Sequence, residues 1–341
     1  MLEATNRPQL ARVSVTKVDL SRLDADDWND HAMGCQASLR SAYAHLRHIG
    51  LRHILRGVPC IYQVMYEAGG KPERIGHYTL IRGAKLNKFY DGIILSPEYR
   101  HLWAEAMEAA LAEAGRGIFD YGWQWFPEPA RDAELVTIPG VKLLSTRPIL
   151  IQGVDFANWP DWESYYRDIS ENIRRNAKKA VKLHPDLDIA VSSGLKSLRR
   201  VIDLVRMRGT MYRRKGMPFH PIRMFAGYIL NFLTCPEQAM IAMAVSSNRI
   251  LAIQNIVEFG STHYYLDGAA ATDTDGGAWN LQLAMLKRAY DRFPAGRFLL
   301  GYTDLPVADQ SAEGLLRSRR SLRASEWPTS LVRFEWTPSC P

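Results

Sequence analysis

Apolar and polar residues alternate over Val13–Val18, the two-residue period of a strand with one wet face. The same period predicts strands over Cys60–Tyr66, Arg74–Ile81 and Phe89–Leu95, joined by short turns such as Ala68-Gly69-Gly70. Before them the period lengthens. Asp24–Ala32 predicts a short helix with Asp26 and Asp27 in its first turn, and Leu39–Leu55 a longer one that Gly50 weakens. Ser96-Pro97-Glu98 is a helix start, with Ser96 as cap and Pro97 at the first helical position. That helix runs to Ala114, and Gly117–Trp123 follows as a strand. Pro127–Pro139 is a loop, and Lys142–Val154 an extended segment.

The second half repeats this order. A helix over Ser164–Leu183 precedes a strand at Leu187–Val191, and helices follow over Leu195–Arg208 and Ile222–Leu233. Strands Met240–Val245, Ile250–Phe259 and Thr262–Asp267 are joined by hairpin turns at Ser247-Asn248 and Gly260-Ser261. Then come a small-residue loop, a helix over Ala278–Arg292, a strand at Arg297–Tyr302, a helix over Ala312–Arg323 and a strand at Leu331–Trp336. One order of elements in both halves suggests two tandem copies of an α+β unit, each a mostly antiparallel sheet flanked by helices. The expected domains are 1–150 and 151–341, although residue identity between the halves is too low to define a repeat.

Length agrees with two domains, because 341 residues exceed one typical core. A hydrophobic fraction of 47% with 23% charged residues is ordinary for a soluble globular chain. The net charge of +7 suits an anionic ligand such as a CoA ester, tRNA or a lipid headgroup without requiring one. Cys35, Cys60, Cys235 and Cys340 are scattered, which argues against a zinc ribbon or a disulfide framework and fits a reducing compartment. No secretory leader is visible at the start. The longest mostly apolar run, Met224–Leu233, falls well short of the ~20 residues that span a bilayer. The expectation is a cytoplasmic protein with no transmembrane segment; Met224–Leu233 fits either a core helix or a partner-facing one.

Several chemistries are disfavoured. The chain has no GxxxxGK[ST] loop, no GxGxxG after a strand, no HExxH and no GxSxG elbow, and its nine histidines are dispersed. No metal is expected.

Two stretches remain distinctive. Tyr264, Tyr265 and Leu266 form a strand that ends at Asp267-Gly268, and the loop Ala269–Gly277 opens into an apolar helix. The backbone N–H groups of such a helix start converge with the positive end of its dipole, where a phosphate or developing oxyanion can bind. The stretch also fits, on its own more readily, a buried connection capped by Asp273 or Asp275. The second is SYYRDISENIRRNAKKAVKL. Its apolar face is Tyr166, Ile169, Ile173, Ala177 and Ala180, and Arg167, Arg174, Lys178 and Lys182 line another, with Arg175 and Lys179 beside them. A cationic stripe of this kind can hold CoA phosphates or a tRNA backbone, or be a solvated face with Glu171 paired to Arg175.

The pattern Trp162-x-x-Tyr165-Tyr166, then Ser170-x-x-x-Arg174-Arg175-x-x-Lys178-Lys179, resembles the GNAT-type acyltransferases of the FemAB and CelD/BcsL groups. The later order is similar too: Ala252 on a strand, the Tyr264-Tyr265 strand, a Gly loop and an apolar helix. The resemblance covers roughly residues 155–325, with the first half a degenerate copy. It implies two tandem GNAT folds, with an acyl donor in a splay between central strands and its pyrophosphate at Gly276, Gly277 and Ala278. Asp273 departs from the pattern where a basic residue would stand. Arg317, Arg319 and Arg320 stand where relatives often carry Lys.

Acylation of an amine needs an acceptor for the amine proton and stabilisation of the oxyanion. Glu258 and Asp267 are the candidate bases. Tyr265 or Tyr302 could protonate the leaving group or be core aromatics, and Asp304 could bind the acceptor amine. Arg174, Arg175 and Lys178 are the candidate donor-binding cations. The implied donor is acyl-CoA, with a small molecule or saccharide as acceptor. Aminoacyl-tRNA is the alternative donor, and a silent binding protein on the same fold is a third reading.

Overall fold

In a computed structural model of the chain, residues 12–52, 58–68, 71–122, 125, 127, 129–271, 276–307 and 310–338 are described. The chain forms two compact units, Met1–Ile149 with Pro328–Pro341, and Leu150–Trp327. The second unit therefore does not extend to 341 as the sequence suggested. The last strand carries large apolar residues at alternate positions and buries them in the first unit.

The first unit begins with β1 (Arg12–Val18), α1 (Ala25–Gly34) and α2 (Tyr43–Arg52). Strands β2 (Val58–Glu67), β3 (Pro72–Arg82) and β4 (Asn87–Leu95) follow, then α3 (Trp103–Ala114), β5 (Gly117–Tyr121), the short α4 (Asp132–Leu135) and β6 (Val141–Asp155). β1 to β4 pair antiparallel in sequence order. β4 and β5 are parallel, and only at Asn87–Phe119 and Lys88–Asp120. Aromatic side chains dominate the core, with Tyr62 stacked on Tyr78 at 4.7 Å between ring centroids.

In the second unit α5 (Trp162–Asp168) and α6 (Glu171–Leu183) replace the single helix expected over Ser164–Leu183. Ile169 is extended (φ −58°, ψ 154°) and buried, and the Ser170 N–H is drawn to the Ser321 carbonyl at 3.0 Å. Strand β7 (Asp188–Ser193), α7 (Val201–Arg214) and α8 (Pro221–Thr234) come next, then β8 (Ala239–Ser246), β9 (Arg249–Phe259), β10 (Thr262–Ala270), α9 (Gly277–Arg292), β11 (Arg297–Asp304) and α10 (Gln310–Ser321); β12 (Ser325–Trp336) follows, and from Pro328 onward it belongs to the first unit. β7 to β10 pair antiparallel in sequence order, and β11 joins β10 in parallel. Residues of α5, α6 and α9 bury one face of this sheet. Arg208 of α7 and Tyr228 of α8 contact Asp267 on the other. α8 is one-sided, with Tyr228 and Phe232 buried while Ile222 and Leu233 are exposed.

Cys35, Cys60 and Cys235 are buried and free, and Cys340 lies outside the described residues. Among the described residues no helix is long and apolar enough to cross a membrane.

Phe334 of β12 is fully buried and stacks on Phe119 of β5 at 5.4 Å. Phe334→Ala is expected to lower stability by about 3–5 kcal/mol in urea unfolding. Amides of β5 should lose hydrogen-exchange protection in the same variant. A cost below about 1 kcal/mol would contradict this placement of the last strand.

Candidate active site

Among the described residues, each unit shows a pair of parallel strands that separate after a few residues. In the second unit pairing holds for Thr262–Arg297, His263–Phe298 and Tyr264–Leu299 and then ends, while β10 stays paired to β9 as far as Ala270–Ala252. Two local features accompany the separation. A bulge at Leu266 shifts the β9–β10 register between Tyr265 and Asp267. On β11, Gly301 has φ +104°, a conformation that suits glycine. The outcome is a fork lined by the ends of β10 and β11, and β10 continues to Ala270 where the sequence predicted the strand to end at Asp267-Gly268 and a loop to begin at Ala269.

The corresponding opening in the first unit is filled by its own strand. The Tyr121 hydroxyl accepts from the Ile93 N–H at 3.4 Å and from Trp103 Nε1–H at 2.9 Å. A Cβ on Gly92, whose φ is +78°, would stand 2.9 Å from that same oxygen. A backbone donor freed by the separating strands is thus satisfied internally.

In the second unit a cation stands at the fork. Arg319 of α10 is 8% exposed and donates to the carbonyls of Leu300 (2.6 Å) and Tyr302 (3.1 Å), both beyond the last β10–β11 pair. It also donates to Thr303 Oγ1 (3.2 Å) and to Oε1 of the buried Gln152 (3.1 Å). All four acceptors are uncharged. Burial lowers its pKa to about 10, so it remains a cation at neutral pH.

The bulge sends Tyr265 and Asp267 to opposite faces, because their β9 partners Ile256 and Asn255 are adjacent residues. Tyr265 packs against the α6–α9 face and its hydroxyl lies over Gly268, where a Cβ would approach it to 2.5 Å. Burial foremost, helped by the charge of Asp267, pushes its pKa up to about 12. Asp267 turns the other way. Its Oδ2 contacts an Arg208 guanidinium nitrogen and accepts from the Tyr228 hydroxyl at 2.8 Å, and Oδ1 is buried without a partner. Burial raises its pKa against the pull of Arg208. Arg208 also donates to the hydroxyls of Tyr228 (2.9 Å) and Tyr212 (2.8 Å).

The remaining predicted residues scatter. Glu258 lies at the closed end of the fork, 3.2 Å from His263 Nε2 and 2.8 Å from Arg292 Nε. An ion pair at a hairpin end accounts for this carboxylate, which is not placed with Tyr265 and Asp267. Tyr302 contributes its carbonyl to Arg319, and Asp304 is exposed at the end of β11. Gly276 caps α9 with φ +94°, and a Cβ there would stand 1.9 Å from the Asn176 carbonyl oxygen of α6. Gly277 is buried against Leu251, with Ala278 following in the first turn. Asp273 and Asp275 lie outside the described residues. On α6, Arg175 and Lys178 are exposed, Arg175 donates to Asn172 at 3.0 Å, and Arg174 is partly buried. Arg317 pairs with Glu313 and Arg320 with Glu326, which leaves Arg319 as the inward member of the arginine cluster.

The sequence matches no family model and no curated protein. Solved structures do match its fold. A crystal structure of FemX superposes with a TM-score of 0.68 at 12% identity, over 95% of this chain and 97% of that one. A tandem GNAT protein from the clavulanic acid biosynthesis pathway superposes at 0.54 with 11% identity, over 96% and 100%. A conserved protein of unknown function from Bacteroides thetaiotaomicron gives 0.53 at 10%. The architecture is therefore the GNAT fold in two tandem copies. At these identities the likeness concerns the fold alone.

Two outcomes follow from the charges at the fork. Arg208→Met should cost about 3 kcal/mol in urea unfolding, the low end for a broken buried pair because Asp267 is partly exposed. Arg208→Met with Asp267→Asn should recover a measurable part of that loss, since the second change removes the stranded charge. A double variant no more stable than the single one would contradict the pairing. Arg319→Met should cost about 1–3 kcal/mol through two orphaned carbonyls, and an unchanged midpoint would contradict its bridging role.

Proposed function

We propose that this protein is an acyltransferase that moves an acyl group from acyl-CoA to an amine or hydroxyl of a small molecule or saccharide. The observation that carries the reading is the fork between β10 and β11, where the pairing ends at Tyr264–Leu299 while β10 stays paired to β9 as far as Ala270. An acyl chain laid between separating strands can take backbone hydrogen bonds along the edge of β10.

In the reaction the acceptor nitrogen or oxygen attacks the acyl carbonyl carbon, the bond to the leaving group breaks, and the acceptor loses a proton. Asp267, with Oδ1 unpartnered, is the proton acceptor we favour over Glu258. Tyr265 is protonated at neutral pH because its pKa is pushed up to about 12, and it can supply a proton to the departing thiolate. Arg319 adds a fixed positive charge beside the developing oxyanion while holding β11 in place. Tyr302 and Asp304, on the outer part of β11, line the acceptor side.

A second donor, aminoacyl-tRNA, is favoured by one observation. Gly276 is accounted for by the close approach of the Asn176 carbonyl, an acceptor oxygen that disfavours a diphosphate at this helix start. The basic face of α6, with Arg174, Arg175 and Lys178, then serves a nucleic-acid backbone.

Thermal shift with CoA, acetyl-CoA and a longer acyl-CoA, beside filter binding of aminoacylated tRNA, separates the two. Acyl-CoA should raise Tm as RT ln(1 + [L]/Kd), by about 2.7 kcal/mol of stability at a hundredfold excess over Kd. A flat response with tight, salt-sensitive tRNA binding would transfer the assignment to the second donor. No response to either would sink the transferase reading in favour of a silent binding protein.

A further inference from the structure

The first unit holds a cluster that the sequence did not disclose. We propose that His31, Cys35 and His77 form a transition-metal site suited to Zn(II). His31 and Cys35 are four residues apart at the end of α1, so they share one face, and His77 comes from β3. Each offers one ligand atom, and these atoms lie within 4.8 Å of one another. His31 Nε2 stands 3.5 Å from Cys35 Sγ. Tetrahedral bonds of about 2.3 Å to sulfur and about 2.0–2.1 Å to nitrogen place such donors about 3.6 Å apart.

A second observation is independent of that spacing. His77 is 2% exposed, and neither of its ring nitrogens has a hydrogen-bond partner. Its ring is enclosed by Trp28 at 5.0 Å and His31 at 5.7 Å. A buried imidazole nitrogen facing a thiol and a second imidazole is a ligand arrangement lacking only the ion.

Metal binding deprotonates Cys35 and releases its proton to solvent, because burial holds the thiol protonated otherwise. Ser96 Oγ, 3.4 Å from Sγ, or a water completes the fourth position. His31 is partly exposed and marks the entry path. Asp27 and Arg74, the nearest charged side chains acting on His31, are paired with each other at 2.9 Å. Two imidazoles and a thiolate select Zn(II) or a metal of similar softness over Mg(II) or Ca(II). The site would tie α1 to β3, and it stands whether or not the second unit is a transferase.

The test uses the full chain, stripped with a chelator, dialysed and titrated with Co(II). The expected result is a thiolate-to-Co(II) charge-transfer band and visible d–d bands that saturate at a single equivalent, with Zn(II) displacing the spectrum and raising Tm. Cys35→Ser, with its fold checked by circular dichroism, should lose the charge-transfer band, and His77→Gln should bind Co(II) at least tenfold more weakly. Absence of the bands in the unsubstituted protein would overturn the proposal without recourse to any variant. An identical spectrum in Cys35→Ser would overturn it equally, by locating the metal elsewhere.

Discussion

Two adjacent strands that stop pairing leave backbone donors and acceptors without partners, and those groups must be satisfied by something other than a strand. This constraint organises the second unit. β10 and β11 part after Tyr264 and Leu299, and beyond that point the guanidinium of Arg319 takes the carbonyls of Leu300 and Tyr302 on β11. A planar group with several fixed donors is suited to bridging successive carbonyls, which a lysine ammonium would do less well. The same interaction places a charge at the fork with neutral acceptors only. A buried cation is a standing cost in such surroundings unless an anionic ligand or transition state shares the site.

The first unit meets the same constraint differently. There the Tyr121 hydroxyl takes the Ile93 N–H, and the absence of a Cβ at Gly92 makes room for the ring. The first fork is thus closed by the chain itself. Tandem copies of a fold can divide labour in this way, one retained for packing and one for chemistry. The His31–Cys35–His77 cluster joins α1 to β3 in the first unit, beside the Arg74–Asp27 ion pair and the Trp28–His77 ring contact.

Period and punctuation in the sequence found most elements, because alternation marks strands whether or not their partners are known. What they missed has physical causes. The break at Ile169-Ser170 is invisible to helical periodicity, since Ile169 is apolar and sits on the expected face; a hydrogen bond to Ser321 makes it. Asp267-Gly268 reads as a strand end, yet β9 holds these residues in the sheet past a bulge. Asp267 and Tyr265 were legible as candidates from their strand. Arg208, Tyr228 and Gln152 were not, because only tertiary folding brings α7, α8 and β6 to them. Arg319 was visible as one of three clustered arginines, and nothing in the spacing distinguished the buried one. Glu258 has the apolar neighbours Val257 and Phe259 in sequence, and only the fold brings Arg292 to it from the end of α9. His77 is separated from Cys35 by a helix and a strand, so no spacing motif could join them.

The central claim is that the fork between β10 and β11 receives the acyl group. Hydrogen exchange of the full chain, with and without a saturating donor, addresses it most directly. The account predicts added protection in 265–271 and 300–304 and none in 91–95 or 119–121, where Tyr121 already occupies the opening. Protection confined to the first unit, or spread with no increase along β10 and β11, would contradict it.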